Sequence, residues 1–150
     1  SKNLDNTSNT SCIFHWNASL GSYEGYGFYY RGNNNRFYTL LKKMGIPYGN
    51  ATASSISINN WYMLITVHDR IERKTKIYTN SILRGSCNDD INSSDYVGSV
   101  NSYTRIGRWN DNSNFQLYGN LSSLRVIRKA LSEKEIKRYW QYCNTWKVAL

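Results

Sequence analysis

Short segments in which apolar and polar residues alternate fill most of this 150-residue chain, and polar turns separate them. Alternation with a period of two places apolar side chains on one face of a strand, whereas a helix needs a period near 3.6. Turns that recur about every eight to twelve residues are typical of β-sandwiches and barrels. The predicted strands include residues 11–16, 25–31, 36–41, 61–68, 74–83, 103–109 and 120–128. We therefore expect an all-β fold built as an antiparallel β-sandwich.

Three stretches give more detailed expectations. Residues 25–31 and 36–41 flank a polar turn and predict a hairpin. Residues 61–68, WYMLITVH, are apolar on both faces and predict a central strand covered on both sides. Residues 45–51 hold the single proline and two glycines, and we interpret them as a loop.

The three cysteines are Cys12, Cys87 and Cys143, and they show no CxxC spacing or accompanying histidine pair. A zinc site is therefore not expected. One disulfide with one free thiol, or three buried thiols, are both compatible with this spacing. In the first strand, Cys12 and Phe14 fall on one side and His15 on the other.

The end of the chain predicts one short helix. Ser132 and Glu135 have the spacing of a capping box, and Leu131 and Ile136 that of a hydrophobic staple. We predict a helix over residues 133–142, followed by an edge strand at residues 145–150. The stripe expected to face the sandwich comprises Ile136, Trp140 and Cys143.

Three segments, in this order, resemble the laminin-G-like domains of the concanavalin A-like lectin/glucanase superfamily. Residues 58–83 resemble the family's strand that begins with Trp, its turn, and a strand ending in Y-x-N/D-G. Residues 103–109, YTRIGRW, resemble its I-G strand, and residues 118–136 resemble G-x-I-D-E-x-R-I-Y-x-x-A-L-S-x-x-E-I. The resemblance implies a jelly roll and one domain over residues 1–150, with residues 1–11 as a flexible or trimmed N-terminal segment.

The resemblance also raises the question of calcium, because the family's Asp in G-x-I-D-E often supports a calcium site. Ser122 stands at that place here, and a hydroxyl is a poor calcium ligand beside a carboxylate. Asp89, Asp90 and Asn92 form a short acidic cluster in the loop expected at residues 84–101, without an EF-hand pattern. We therefore expect no cofactor.

Glycoside hydrolases share this fold, so catalysis is the main rival to binding. Such enzymes need two carboxylates around the scissile bond. The chain has four glutamates, of which two open the helix, and it has no alternating acidic strand; they are Glu24, Glu72, Glu133 and Glu135. Neither histidine has a nucleophile motif beside it. We expect a non-catalytic domain.

A non-catalytic jelly roll implies recognition, by analogy of fold. The stretch RWNDNSN combines an aromatic ring, which can stack on a sugar, with polar groups that bind hydroxyls. We predict ligand contacts at Arg108, Trp109, Asp111 and Asn114; the alternative is that Trp109 caps the core and the loop merely turns. A second candidate set, for which packing is the alternative, is Tyr26, Tyr30 and Arg31.

The net charge of +9 favours anionic partners without selecting one. We expect a sulfated or sialylated glycan or a glycoprotein, on a domain of a larger secreted, cell-surface or virion-surface protein. No basic helix with interleaved aromatic residues is present, which disfavours nucleic acid, and no apolar stretch is long enough for membrane insertion. The alternative function is a structural or protein-interaction module that uses an edge strand or the basic patch at residues 70–76.

Overall fold

The computed structural model describes residues 10–18, 25–43, 46–49, 51–53, 56–57, 59–88, 103–108, 116–117 and 119–146. Within them, sheet A has the order β4-β3-β2-β1-β9, with β5 also paired to β3, and sheet B has the order β6-β7-β8. Both sheets are antiparallel, which confirms the predicted sandwich with a C-terminal helix. The elements are β1 (Thr10–Ala18), β2 (Gly25–Arg31), β3 (Arg36–Lys43), β4 (Ile46–Gly49), β5 (Thr52–Ala53), β6 (Leu64–Asp69), β7 (Lys74–Thr79), β8 (Ile82–Asn88), β9 (Tyr103–Ile106) and α1 (Glu133–Trp146).

The hairpin of β2 and β3 confirms the sequence prediction and is tightly fixed at its turn. A short 3-10 turn follows β2, and Asn35 ends it in the left-handed conformation with φ of 48°. The hydroxyl of Tyr30 donates to the Asn35 side-chain oxygen at 2.7 Å, and the Ile56 N–H donates to the Asn35 carbonyl at 3.2 Å. The left-handed Asn and these two bonds define one turn geometry.

The prediction of a loop at residues 45–51 is wrong, because residues 46–49 form β4, which pairs with β3. Pro47 lacks an N–H group, which is tolerated where a strand lies at the edge of a sheet. Within the described strands β4 is such an edge. The proline therefore marks the position of the strand in the sheet instead of excluding a strand.

The central position predicted for residues 61–68 is wrong among the described strands, since β7 is the middle strand of sheet B and β6 pairs only with it there. The predicted cover on both faces is confirmed, because Leu64 packs toward β5 and Val67 packs toward α1.

The N–H of Met63 donates to the Asn80 side chain at 3.0 Å, and the Asn80 N–H donates to the Met63 carbonyl at 2.9 Å. The ladder with β7 begins next to these bonds, with Leu64 opposite Thr79. Trp61 lies outside it and is 53% exposed.

Residues 74–83 were predicted as one strand, but the chain turns within them. Asn80 and Ser81 have φ of 50° and 67°, so the chain reverses between β7 and β8. Strand β8 then continues to Asn88, through the first part of the predicted loop at residues 84–101. Ladder pairing with β7 overrides the polar composition of β8.

The two sheets pack through small and branched side chains. Ala51, Ala53 and Ile77 are buried at 0–1% exposure, where β5 passes over β7 and β8. A second contact joins β2 to β6, where the Tyr26 and His68 rings meet edge to face with centroids 5.0 Å apart. The partly buried residues that complete the first cluster are Phe37, Leu64 and Cys87.

Helix α1 covers the other face of sheet B. Its capping box is confirmed: the Ser132 N–H donates to Glu135 Oε2 at 2.9 Å, and the Glu135 N–H donates to Ser132 Oγ at 3.4 Å. Ile136 is fully buried with Val67 and Tyr78. The predicted stripe holds through half-buried Trp140, but Cys143 is exposed. The helix runs to Trp146, so residues 145 and 146 do not form the predicted edge strand, and residues 147–150 lie outside the described chain.

Residues 120–128 do not form the predicted strand. Alternation favours an extended chain, but a strand also needs a partner for its backbone groups. No described strand pairs with this segment. Val126 and Ile127 are accordingly 52% and 41% exposed.

Gly85 tests how closely the sheets approach. A Cβ atom at this position would collide with the backbone oxygen of Thr52 in β5, and a backbone atom cannot move aside as a flexible side chain can. We expect Gly85→Ala to lower the free energy of unfolding by about 1–3 kcal/mol in urea denaturation. Gly119→Ala is the control, since a Cβ there meets Leu117 at an ordinary 3.8 Å. Equal stability of the two variants would contradict the close approach.

His68 makes the contact between β2 and β6 sensitive to acid. Removal from water, and then the positive charge of Arg70, lower the His68 pKa to about 4 from 6.5. In the unfolded chain His68 therefore binds a proton near pH 6.5, whereas in the folded protein it binds one only near pH 4. We expect the free energy of unfolding to fall by roughly 2–3 kcal/mol across this interval.

The measurement is urea denaturation at several pH values, with His68→Gln as the comparison because its amide does not titrate there. The carboxylates also make the free energy of unfolding depend on pH, and they do so in both proteins. The difference between the two slopes of unfolding free energy against pH therefore isolates the contribution of His68. Identical slopes in the two proteins would show that His68 titrates normally.

Candidate functional site

The loop that carries the first set of predicted ligand residues leaves sheet A after β9. Gly107 has φ of +72°, which turns the chain away from the strand. Its N–H donates to the Ile13 carbonyl at 2.9 Å, and its carbonyl accepts the Leu117 N–H at 2.8 Å. These bonds close the base of the segment between residues 107 and 117. Arg108, the first residue past this base, is exposed.

Several predicted site residues fall outside the part of the chain that the structure describes. They are Trp109, Asp111 and Asn114 of the RWNDNSN stretch and the calcium candidates Asp89, Asp90 and Asn92. Their roles stay predictions. Among the described residues, no group of three or more His, Cys, Asp and Glu side chains is placed to hold a metal ion.

The second set of predicted ligand residues does not form one site. Tyr26 and Tyr30 point to the inner face of sheet A, where Tyr26 meets His68 and Tyr30 packs edge to face on Phe37 with centroids 5.6 Å apart. Tyr30 is 2% exposed, so packing, the alternative to ligand binding, holds for its ring. Alternation along β2 places Arg31 on the opposite face.

Arg31 belongs instead to a polar cluster at the outer face of the β2–β3 hairpin. Its guanidinium carbon lies 4.7 Å from the centroid of the Tyr38 ring. The Asn34 amide donates to the Tyr38 hydroxyl at 2.6 Å. Arg36 is the cross-strand partner of Arg31, and both arginines are exposed. We call these four residues, Arg31, Asn34, Arg36 and Tyr38, the hairpin cluster.

Sequence reasoning missed three members of this cluster. The signal was present, because a hairpin closed by residues 32–35 places Arg31 opposite Arg36. Tyr38 then follows on the same face two residues later. Motifs within a single strand do not reveal this set, because its members come together only through the register across the turn.

Arg31 of the hairpin cluster and the C-terminal end of β9 lie toward the same end of sheet A. Arg31 pairs with Thr10 at the start of β1, while Ile106 pairs with Phe14 further along β1. Because β9 is antiparallel to β1, it runs toward that same start as far as Gly107, which bonds to Ile13. Strands β2 and β9 are separated by β1 alone, which sets their axes roughly 10 Å apart.

Cys12, His15 and Tyr29 form a buried group on the outer face of sheet A, near the end where Arg31 lies. A bulge between Cys12 and Phe14 shifts the register, so Cys12 shares the face of Tyr29 and His15, against the expectation that it lies beside Phe14. Burial raises the Cys12 pKa to about 12, which Arg105 partly offsets, and burial also raises the Tyr29 pKa. A thiol held protonated is a weak nucleophile, so the group is suited to packing. Cys12, Cys87 and Cys143 are all free thiols.

Each described carboxylate has a place in a turn, a salt bridge or the helix start. Asp69 accepts hydrogen bonds from the backbone N–H groups of residues 71 and 72 at 2.9 and 3.0 Å. Glu72 pairs with Lys76 at 2.6 Å. Glu133 and Glu135 lie in the first turn of α1, where negative charge complements the helix dipole. These carboxylates are distributed along sheet B and α1 rather than paired across a cleft, as glycoside hydrolysis requires.

Comparison with known proteins gives one family and one structure. An S-layer domain-containing protein from Clostridium thermocellum (residues 221-444) is similar at 18% sequence identity and a TM-score of 0.43, over 93% of this chain and 66% of that one. The chain therefore spans just under two thirds of that neighbour. A search of curated proteins found no significant match. Within the described residues, no helix is long and apolar enough to cross a membrane.

The family comparison agrees with the fold. A family model, Laminin_G_3, described as the Concanavalin A-like lectin/glucanases superfamily, matches residues 2–137. The match covers all the strands and the start of α1. Two antiparallel sheets and the capped C-terminal helix are the architecture that the resemblance of the three sequence segments implied. The chain belongs to the Concanavalin A-like lectin/glucanases superfamily.

Proposed function

We propose that this domain is a non-catalytic recognition module that binds glycans, with a preference for anionic ones, as part of a larger secreted or surface protein. The observation that carries the proposal is that two exposed arginines, Arg31 at the end of β2 and Arg108 just after β9, lie toward the same end of sheet A on strands separated by β1 alone. In the proposal, the two regions contribute polar groups to one shallow surface, which suits an extended ligand better than a small buried one.

The loop between residues 107 and 117 supplies the predicted sugar contacts. The two hydrogen bonds of Gly107 join residues 107 and 117 to each other and to β1. In the proposal, Trp109 stacks on a sugar ring while Asp111 and Asn114 bind hydroxyls. Arg108 contacts an anionic substituent.

The non-catalytic part of the proposal is supported by the carboxylates. Asp69, Glu72 and Glu135 each hold a turn, a salt bridge or a helix cap. A general acid needs a partner carboxylate across the substrate. The described residues offer no such pair.

A second candidate function is docking to another protein through the basic turn between β6 and β7. Ile71 at its tip is 96% exposed, and Asp69 fixes the turn by two hydrogen bonds. Arg70 and Arg73 of the same turn are also exposed, and their positive charge would complement an acidic partner surface. The turn lies on sheet B, so its role can be tested separately from the glycan surface.

Trp109→Ala tests the glycan function on a glycan array and by titration of the strongest ligand. Loss of the stacking ring is expected to weaken binding about tenfold or more, equivalent to about 1.4 kcal/mol. Trp61→Ala is the matched control, because Trp61 is 53% exposed and lies just before β6 of sheet B. It should bind as the unmodified domain does, and circular dichroism checks that both variants fold.

Two results would count against this function. An array without any glycan bound by the unmodified domain favours the protein-docking alternative, for which Ile71→Ser should then abolish partner capture. Equal weakening by Trp61→Ala and Trp109→Ala would place the effect in stability and not in the loop.

A further inference from the structure

The hairpin cluster concentrates positive charge in a way that folding alone does not favour. Arg31 and Arg36 are directly opposite in the β2–β3 register, and like charges in this position destabilise a hairpin. The strands of sheet A contain no Asp or Glu to compensate them. The described carboxylates belong to sheet B, its turn and α1. A bound anion would relieve this repulsion.

Tyr38 is oriented to assist such an anion. Its hydroxyl oxygen accepts the hydrogen bond of the Asn34 amide at 2.6 Å, so the hydroxyl proton remains available to a ligand. The Arg31 guanidinium rests over the ring at 4.7 Å, which restricts its rotamers. Two guanidinium groups and one hydroxyl thus supply donors from a single hairpin end.

The turn beneath the cluster is rigid. Tyr30, buried at 2% exposure, holds the Asn35 side chain at 2.7 Å, and Asn35 adopts the left-handed conformation that ends the turn. Tyr30 is therefore a positioning residue for its neighbours Arg31 and Asn34, and its own ring does not reach a ligand. A rigid frame lowers the entropy lost when an anion is bound.

We propose that Arg31, Arg36, Tyr38 and Asn34 form a binding site for one sulfate ester or carboxylate group of a glycan, an inference that rests on the proposed glycan function. The size of the cluster favours a single anionic group. Further inward on the same face of β2 stand Tyr29 and Gly27, which carry no charge. A nucleic acid backbone would instead need a longer track of cations that contacts several phosphates.

The first test titrates inorganic sulfate into the isotope-labelled domain and follows the arginine side-chain N–H signals by NMR. The signals of Arg31 and Arg36 should shift in the unmodified protein. Arg31→Gln and Arg36→Gln should each weaken sulfate binding about tenfold, because each removes a charge-assisted hydrogen bond. Arg138→Gln removes the same charge from an exposed position of α1 and should change binding less than about threefold.

Thermal stability separates a binding defect from a folding defect. Arg36→Gln relieves a like-charge pair, so the melting temperature of the free variant should not fall. A sulfated oligosaccharide should raise the melting temperature of the unmodified protein and of Arg138→Gln, and should raise that of Arg31→Gln and Arg36→Gln much less. Weakening by Arg138→Gln as large as by Arg36→Gln would overturn the site in favour of diffuse attraction.

The second test compares sulfated, desulfated, sialylated and asialo forms of one oligosaccharide. Arginine-dependent binding of the sulfated form identifies a sulfate ester as the ligand group, and that of the sialylated form identifies a carboxylate. If glycans bind but both arginine variants match the unmodified domain, the anion site fails and the glycan function stands. If sulfate binds at Arg31 and Arg36 but no glycan binds, the glycan function fails and the anion site stands. Retention of a single-stranded RNA, with the same arginine dependence and no glycan bound, would overturn the glycan assignment of this site.

Discussion

The close approach of β5 to β8 is the constraint on which the rest of the sandwich depends. Ala51 and Ala53 are small enough, and Gly85 lacks the side chain, for two backbones to come together over Ile77. Because the two sheets lie this close, the aromatic residues on the inner face of sheet A pack in the core. The proposed site accordingly draws on exposed residues at the end of sheet A and not on its inner aromatic residues.

Alternation along the strands of sheet A places side chains with different roles on its two faces. Along β2, the inner positions hold tyrosines that fill the space against sheet B and fix the turn, while Arg31 on the outer face reaches solvent. Neighbouring residues of one short segment thus have different tasks. Composition alone suggested that the tyrosines and the arginine act together on a ligand. Their separation by the pleat shows why the face of each residue matters more than its proximity in sequence.

The parts of the fold that sequence could predict are those set by local chemistry. The capping box at Ser132 and Glu135 and the hairpin turn at residues 32–35 each depend on a few adjacent residues, and both are present in the structure. The parts it missed depend on partners far along the chain. Periodicity could not show that the Asn80 side chain would accept a hydrogen bond from the Met63 backbone, or that Trp61 would lie in solvent. Nor could it show that a bulge would turn Cys12 toward Tyr29. The hairpin cluster is a different case, because its register follows from the local turn, and Arg36 and Tyr38 are recognised as its members only when that register is extended from β2 to β3.

Pro47 in β4 has a consequence for strand addition at the margin of sheet A. An edge strand presents N–H and C=O groups with which another chain can pair, and such pairing leads to aggregation. Among the described strands β4 is such an edge, and Pro47 has no N–H group to donate to an added strand. The residue that predicts a loop from the sequence thus makes this edge a poorer template for a further strand.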